Sequence, residues 1–222
     1  PMTTWSSNED STISTAELDY YRERAQGIGA VITAAAYVSA EGQGFHHQIG
    51  AHHDDMLPSL QQLAKTIQSQ GTKAILQIFH GGRMCPPELI GGQQPVSASA
   101  IAATRKGAAT PREMSESEID HLIIAFGEAT RRAIAAGFDG VEIHGANTYL
   151  IQQFFSPHSN RRHDQWGGSV EQRMNFPLAI IDKVLETVSR YAKTPFIVGY
   201  RLSPEEVEEP GIKMSDTLQF VT

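Results

Sequence analysis

Short apolar segments alternate with longer amphipathic segments along the chain. The short ones are apolar on both faces, as strands are in a parallel sheet that is covered by helices. The unit of strand, loop, helix and strand recurs about every 40 to 60 residues, which is typical of α/β proteins. The predicted strands are Ala30–Ala36, Lys73–Phe79, Gly140–Ile143 and, as the fifth strand, Pro195–Tyr200.

Helical spacing and capping signals define the segments between the strands. Leu57, Leu60 and Leu63 lie three residues apart and form one apolar face. Ser115 with Glu118 forms a capping box, which marks a helix start. The predicted helices are Ala16–Gly27 with a cap at Thr15, Met56–Gln70, Glu116–Ala136 and Ser169–Tyr191, and Met214–Thr222 resembles the opening of another helix.

The alternation predicts an α/β fold with a parallel sheet and helical cover. A (β/α)8 barrel and an open doubly wound sheet both fit this pattern. Neither GxGxxG nor GxxxxGK[ST] follows a predicted strand, which disfavours an open dinucleotide-binding sheet. The segment Met84–Glu113 is long and rich in Pro, Ala, Ser and Gly, so we expect it to be a functional lid or binding segment.

Charge and cysteine content exclude several classes of protein. The 222 residues carry a net charge of -7 and no clustered basic patch, which argues against nucleic acid as a partner. The single cysteine, Cys85, excludes an internal disulfide framework and suits a reducing compartment. No apolar run approaches the roughly twenty residues of a membrane span, and no signal peptide opens the chain, so we expect a soluble, cytoplasmic protein.

The loop Tyr37–Asp55 contains four histidines, which raises the question of a metal site. Adjacent histidines in a loop or strand point apart, and no carboxylate or cysteine stands at zinc-like spacing. We therefore expect no metal from His46, His47, His52 and His53.

Polar side chains lie at the ends of the apolar strands or within them, where parallel α/β proteins place their ligand sites. They offer neutral donors, one phenol and one fixed cation, and Glu142 is the only carboxylate near them. Strand alternation does not decide which way Glu142 points. Such a set suits an electron-rich ligand with carbonyl groups, for example a flavin. The polar residues of the set are Thr3, Gln77, His80, His144, Asn147, Tyr149 and Arg201.

Chemical roles can be assigned to four of these residues. His144 and Asn147 are three residues apart, so on a helical turn both could donate to one carbonyl oxygen and stabilise a developing enolate. Tyr149 could deliver a proton as a general acid, and Arg201 could stabilise a reduced flavin at its N1/C2 edge. The alternative is that His144 is a structural hydrogen bonder and Tyr149 a core residue.

The segment His144–Arg173, HGANTYLIQQFFSPHSNRRHDQWGGSVEQR, resembles the signature of the old yellow enzyme family of flavin-dependent ene-reductases. PMTTW at the start, QIFHGGR at Gln77–Arg83 and GYRLSPEE at Gly199–Glu206 resemble other family blocks in the same order. The resemblance implies an FMN-containing (β/α)8 TIM barrel, with about the first five strands in this chain. Residues 1–222 would then be an incomplete barrel domain whose remaining strands follow Thr222 in a larger protein.

The resemblance also implies roles for individual residues. His144 and Asn147 match the pair that binds the substrate carbonyl and borders the flavin, and Tyr149 matches the proton donor. Asn160, Arg161, Asp164 and Trp166 match a loop after the site for which we expect a structural role. The residues expected around the isoalloxazine ring are Pro1, Met2, Thr3, Ala35, Gln77 and Arg201.

The activity implied is reduction of the C=C bond of a small-molecule enone, with NADH or NADPH as the reductant and a possible homodimer or higher homo-oligomer as the assembly. Two alternatives remain. One is a 2,4-dienoyl-CoA reductase or amine dehydrogenase with an iron–sulfur domain beyond Thr222, although His144 beside Asn147 favours the simple ene-reductase. The other is a flavin-free binding or structural remnant of the barrel.

Overall fold

Four parallel strands form the sheet around which the chain is arranged. The computed structural model describes residues 1–222, and the strands lie across this sheet in the order β1 (Ala30–Tyr37), β2 (Lys73–Phe79), β5 (Gly140–Gly145) and β6 (Ile197–Leu202). The helices are α1 (Thr15–Arg24), α2 (Leu57–Gln68), α3 (Glu116–Ala135), α4 (Leu150–Phe155), α5 (Val170–Tyr191) and α6 (Met214–Val221). The other strands are β3 (Val96–Ser97) and β4 (Arg112–Glu113).

The structure differs from the sequence prediction in the number and limits of some elements. The main sheet has four strands rather than about five, and residues 1–5, which precede the first predicted strand, do not add one. Strand β6 begins two residues after Pro195, because the first ladder bond on this side is from the Ile197 N–H to the Asp139 carbonyl. Helix α1 is capped by Ser14, whose hydroxyl accepts from the Glu17 N–H, rather than by Thr15.

Hydroxyl caps fix the starts of the two longest helices. Ser115 begins α3 and Ser169 begins α5, each in a complete capping box, so polar groups of the first turn are satisfied before packing begins. Both helices are amphipathic and turn their apolar faces toward the sheet and each other. None of the helices combines the length and apolar character that crossing a membrane requires.

The two faces of the sheet have different surroundings. One face, which we call the helix face, carries Ala34, Leu76, Ile78, Val141 and Ile143 and belongs to a continuous core of 35 buried residues with the helices. The opposite face, which we call the open face, carries a small separate cluster of Ala35, Tyr37 and Phe79, with Phe45 and Tyr149 packed against it. The polar side chains of the central strands therefore share the open face.

The segment Met84–Glu113, predicted to be a functional lid or binding segment, is a folded excursion with two short strands of its own. Its middle and its carboxyl end pair as the short parallel strands β3 and β4, with Val96 opposite Arg112. The Arg112 guanidinium binds both carboxylate oxygens of Glu118 at 2.9 and 2.6 Å, which ties the excursion to the first turn of α3. The excursion is thus anchored at its base, near the carboxyl end of β2.

We expect Leu63→Ala to lower the free energy of unfolding by about 2–5 kcal/mol, because Leu63 is fully buried in α2 and its truncation leaves a cavity. Leu185→Ala in α5 is the matched control, since its side chain is 48% exposed and should change stability by less than about 0.5 kcal/mol. Urea denaturation of both variants measures the difference. Equal losses would contradict the assignment of the core.

Candidate functional site

The register of the parallel strands sets two rows of side chains across the open face. Ala35 of β1 lies opposite Gln77 of β2, Gln77 opposite Glu142 of β5, and Glu142 opposite Gly199 of β6. The next row toward the carboxyl ends contains Tyr37, Phe79, His144 and Arg201. The two rows bring Gln77, His144 and Arg201 together, as expected for residues of one site.

Glu142 lies at the centre of this surface and joins its two polar neighbours. The Gln77 side-chain amide donates to Glu142 Oε1 at 2.6 Å. Arg201 donates to Oε1 from Nε at 2.8 Å and to Oε2 from Nη2 at 3.2 Å. Sequence reasoning left the direction of Glu142 open. Its spacing of two from His144 on one strand was the signal that both residues share a face.

His144 is held as a neutral imidazole with one free donor. The Ala146 N–H donates to His144 Nδ1 at 3.4 Å, so the ring proton lies on Nε2. Burial lowers the pKa of His144 to about 4, and the charge of Arg201 acts in the same direction while Glu142 opposes it. The ring is therefore an uncharged hydrogen-bond donor at neutral pH.

Asn147 does not lie on a helical turn with His144, which corrects the geometry expected from their spacing. His144 is the last residue but one of β5, whereas Asn147 and Thr148 have φ angles of 57° and 63°, in the left-handed region. The Asn147 N–H donates to Ser203 Oγ at 3.0 Å, and its side chain is exposed. Asparagine tolerates this conformation better than most residues do. The amide is thus presented by a tight turn after the strand.

Tyr149 packs beside His144 at the mouth of the open face. Its ring meets Phe79 edge-on with centroids 4.5 Å apart and His144 edge-on at 5.1 Å. Burial raises the pKa of Tyr149, and the charge of Arg105 in the excursion partly opposes this. No hydrogen bond contributes to the pKa shift, so the hydroxyl stays protonated and unengaged.

The amino-terminal segment lies beside the same strand ends. The ring of Trp5 lies against Phe45 with centroids 5.8 Å apart, and Phe45 in turn meets Tyr149 edge-on. Met2 is exposed and Thr3 half-buried. The segment is anchored by fully buried Glu17, which accepts from the hydroxyls of Thr4 and, at 2.7 Å, Ser7. The sequence did not predict this anchor, because a glutamate in a helix with other charged residues is expected to be exposed to solvent.

The loop after β2 forms the wall of the site, and Gln153 holds it in place. The Gln153 amide oxygen accepts from the Arg83 N–H and the Ser97 hydroxyl, both at 3.0 Å. Its nitrogen donates to the carbonyls of Gly81 at 3.2 Å and Thr148 at 2.6 Å. This fully bonded amide joins the wall to the turn before Tyr149, and sequence reasoning did not single it out.

His80 is part of this wall rather than of the exposed site. Its Nδ1 accepts from the Gly82 N–H at 3.0 Å, and its carbonyl accepts from Leu150 N–H at 3.1 Å. The side chain is completely buried, which lowers the pKa of His80 to about 4. Among the polar strand-end residues predicted from sequence, His80 is therefore the one turned away from the open face.

The loop after α4 is built on Asn160, whose side chain is buried. Its amide nitrogen donates to the carbonyls of Phe154 and Trp166 at 2.6 and 2.7 Å, and its oxygen accepts from the Arg162 N–H. Arg162 pairs with Asp164 at 2.6 Å. Arg161 contributes its main-chain N–H, which donates to Ser99 Oγ at 2.9 Å. These contacts fit the structural role expected for the loop.

Three of the four histidines in the loop after β1 make separate local contacts. His47 Nδ1 lies 3.0 Å from the Ser7 carbonyl, His52 stacks on Tyr37, and His53 accepts from the Asp55 N–H. No group of three or more His, Cys, Asp or Glu side chains is close enough to hold a metal ion.

The donor set of the open face fits the flavin that the sequence predicts. Gln77 and Arg201 point to one side of the sheet with bonding capacity left after their contacts with Glu142. Ala35 and Gly199 stand at the two outer positions of the same row and add almost no bulk. A flat heterocycle with carbonyl and N–H groups along one edge matches this arrangement of small residues and polar groups.

Comparisons with curated proteins give full-length matches to this chain. The sequence profile of the NADH:flavin oxidoreductase / NADH oxidase family matches residues 1–222. The chain is 53% identical to an NADH:fumarate oxidoreductase of Klebsiella pneumoniae, covering 100% of this chain and 24% of that protein. It is 54% identical to the probable NADH-dependent flavin oxidoreductase YqiG of Bacillus subtilis, over 100% of this chain and 59% of that protein. The chain thus spans between about a quarter and three fifths of these relatives.

Solved structures have the same fold over this part of their chains. An old yellow enzyme homologue from Zymomonas mobilis matches with a TM-score of 0.89 and 30% identity, over 100% of this chain and 62% of that one. Morphinone reductase in complex with tetrahydroNAD matches with a TM-score of 0.83 and 32% identity, over 92% of this chain and 58% of that one.

Stability should fall as the pH decreases from about 6.5 to about 4, because the unfolded imidazole of His144 binds a proton in this range and the folded one does not. His80 acts in the same direction. Urea unfolding at several pH values in this range measures how steeply the free energy of unfolding depends on pH. His144→Gln should reduce this dependence by the equivalent of about one bound proton. An unchanged slope, or an NMR titration with a midpoint for His144 near 6.5, would contradict the neutral ring.

Proposed function

Because the chain belongs to the NADH:flavin oxidoreductase / NADH oxidase family, we propose that it forms the catalytic face of an FMN-dependent oxidoreductase that takes hydride from NADH or NADPH and reduces activated C=C bonds. The expected old yellow enzyme relationship and (β/α)8 fold class are confirmed by the family and structural matches. The observation that carries the proposal is the neutral His144 donor beside the unengaged Tyr149 hydroxyl, on the face that holds Gln77 and Arg201.

The residues of the open face would hold FMN by its polar edge. Gln77 and Arg201 would bind that edge, and Ala35 together with Pro1, Met2 and Thr3 of the amino-terminal segment would contact the rest of the ring. Bound FMN supplies the capacity to accept hydride from the nicotinamide and to donate it to the alkene. The fixed charge of Arg201 favours the reduced flavin.

His144 and Asn147 bind the carbonyl oxygen of the substrate. The His144 Nε2–H donates without bringing a full positive charge, which burial would make costly. The Asn147 amide adds a second neutral donor from the left-handed turn. Two such donors on one oxygen stabilise the negative charge that develops there when hydride reaches the β-carbon.

Tyr149 donates the proton that completes the reduction. Its hydroxyl remains protonated because burial raises its pKa, and no hydrogen bond within the chain ties the group elsewhere. Packing against Phe79 and His144 limits the ring to one direction beside the carbonyl site. A phenol held in this way is a competent general acid toward the α-carbon.

A second candidate function is a flavin unit that oxidises NADH and passes the electrons to another part of a longer protein. It is favoured by the relative in which the matched region makes up only 24% of the chain. The fumarate in that protein's name does not specify a substrate for the matched quarter. The two candidates differ in whether Tyr149 is needed for turnover.

We expect Tyr149→Phe in the full-length holoenzyme to slow alkene reduction by about 10²- to 10⁴-fold, because a positioned general acid contributes that much. Reduction of the flavin by NADH should stay within about twofold of wild type. Tyr37→Phe is the matched control, since its hydroxyl is already bonded to Ser11 at 2.7 Å. Anaerobic stopped-flow spectroscopy separates the two half-reactions, and an unaffected alkene half-reaction would favour the second candidate.

Substrate binding should depend more on His144 than on Asn147, since the first is a buried, fixed donor and the second an exposed one. We expect His144→Ala to weaken binding of a phenolic ligand by about tenfold or more and Asn147→Ala by less, as buried hydrogen bonds contribute more. Titration of the flavin charge-transfer band measures both. An unchanged affinity in the His144→Ala, Asn147→Ala double variant would refute the pair.

A further inference from the structure

We propose that Glu142 is a positioning residue that sets the hydrogen-bond polarity of Gln77 and balances the charge of Arg201 at the flavin edge. The proposal rests on the proposed function, because it concerns how the same face holds FMN. Glu142 reaches both residues from the strand between them, so one carboxylate organises the whole polar edge.

The carboxylate determines which end of the Gln77 amide faces it. A carboxylate paired with a guanidinium can only accept, so the amide nitrogen of Gln77 must point to Glu142 Oε1 at 2.6 Å. Gln77 then keeps its oxygen and one N–H for the ligand. An imide edge presents carbonyl oxygens beside an N–H, and this pattern is complementary to the remaining acceptor and donor.

The same carboxylate fixes the Arg201 guanidinium and offsets its charge. Nε and Nη2 are both bonded to Glu142, which leaves Nη1 and one N–H of Nη2 for a ligand. The Glu142 side chain is only 10% exposed, so solvent screens this pair weakly. The edge is therefore close to neutral rather than carrying the full charge of Arg201.

A nearly neutral edge binds oxidised and reduced flavin more evenly than a free arginine would. Reduction adds negative charge to the flavin, and an unopposed guanidinium would strongly favour the reduced form. Glu142 thus limits the preference for reduced flavin, which keeps transfer to the alkene from becoming unfavourable. Apart from Arg201, its polar neighbours on the open face, Gln77 and His144, are uncharged at neutral pH. The carboxylate has no other cation partner.

The test uses Glu142→Gln in the full-length holoenzyme, which keeps the shape and removes the charge. We expect the affinity for oxidised FMN to fall about tenfold, because the new amide lets Gln77 turn its oxygen toward residue 142. We expect the ratio of reduced to oxidised FMN affinity to rise about tenfold, which shifts the midpoint potential to more positive values. FMN fluorescence titration and spectroelectrochemistry measure the two effects.

Asp139→Asn is the matched control. Asp139 also joins a glutamine and a cation, Gln68 at 2.9 Å and Lys73 at 2.7 Å, but at the opposite ends of the strands. The Asp139→Asn substitution should leave both the FMN affinity and the midpoint potential of the flavin unchanged. Glu142→Asp separates the two roles, since it keeps the charge but shortens the reach; we expect weaker FMN binding with an unchanged affinity ratio.

The outcomes distinguish this proposal from the function on which it rests. A wild-type holoenzyme that binds no FMN would refute the proposed function. A wild type that binds FMN, with a Glu142→Gln variant of unchanged potential, would refute only the role of Glu142. In Glu142→Gln, equal loss of affinity for both oxidation states would leave only the orientation of Gln77 to the carboxylate, and failure of both Glu142 variants to fold would show that the carboxylate serves the fold alone.

Discussion

The register of the parallel strands is the constraint on which the site depends. A shift of one residue in β5 relative to its neighbours would turn Glu142 and His144 into the helix core and bring Val141 and Ile143 to the open face. The apolar partners of Ile143 and Leu76 on the helix side prevent this shift. Packing on one side of the sheet thereby fixes the position of every polar group on the other.

The sequence predicted the elements whose signals are local. Ser115 caps a helix where its capping box predicted one, the helix predicted from Ser169 starts at the next residue, and the apolar runs of β1 and β2 became strands. The polar residues at the strand ends were also recognisable, because parallel sheets collect them at one edge. Gln77, His144 and Arg201 share the open face for this reason.

Features that depend on contacts between distant segments could not be read from the sequence. The partners that bond the Glu142 carboxylate, Gln77 and Arg201, lie 65 and 59 residues away along the chain. The left-handed backbone at Asn147 has no periodic signal and ends the helical spacing assumed for it. Helix α4 is only six residues long, too short for an apolar repeat to stand out.

The bonding of Gln153 separates the site into a part that resists change and a part that can vary. All four hydrogen bonds of this amide are used to join the loop after β2 to the turn before Tyr149. Asn147, by contrast, projects outward with only its main chain bonded. Diversification by evolution or in the laboratory can therefore proceed at Asn147 and the tip of the excursion near Arg105, while the supporting wall stays constant.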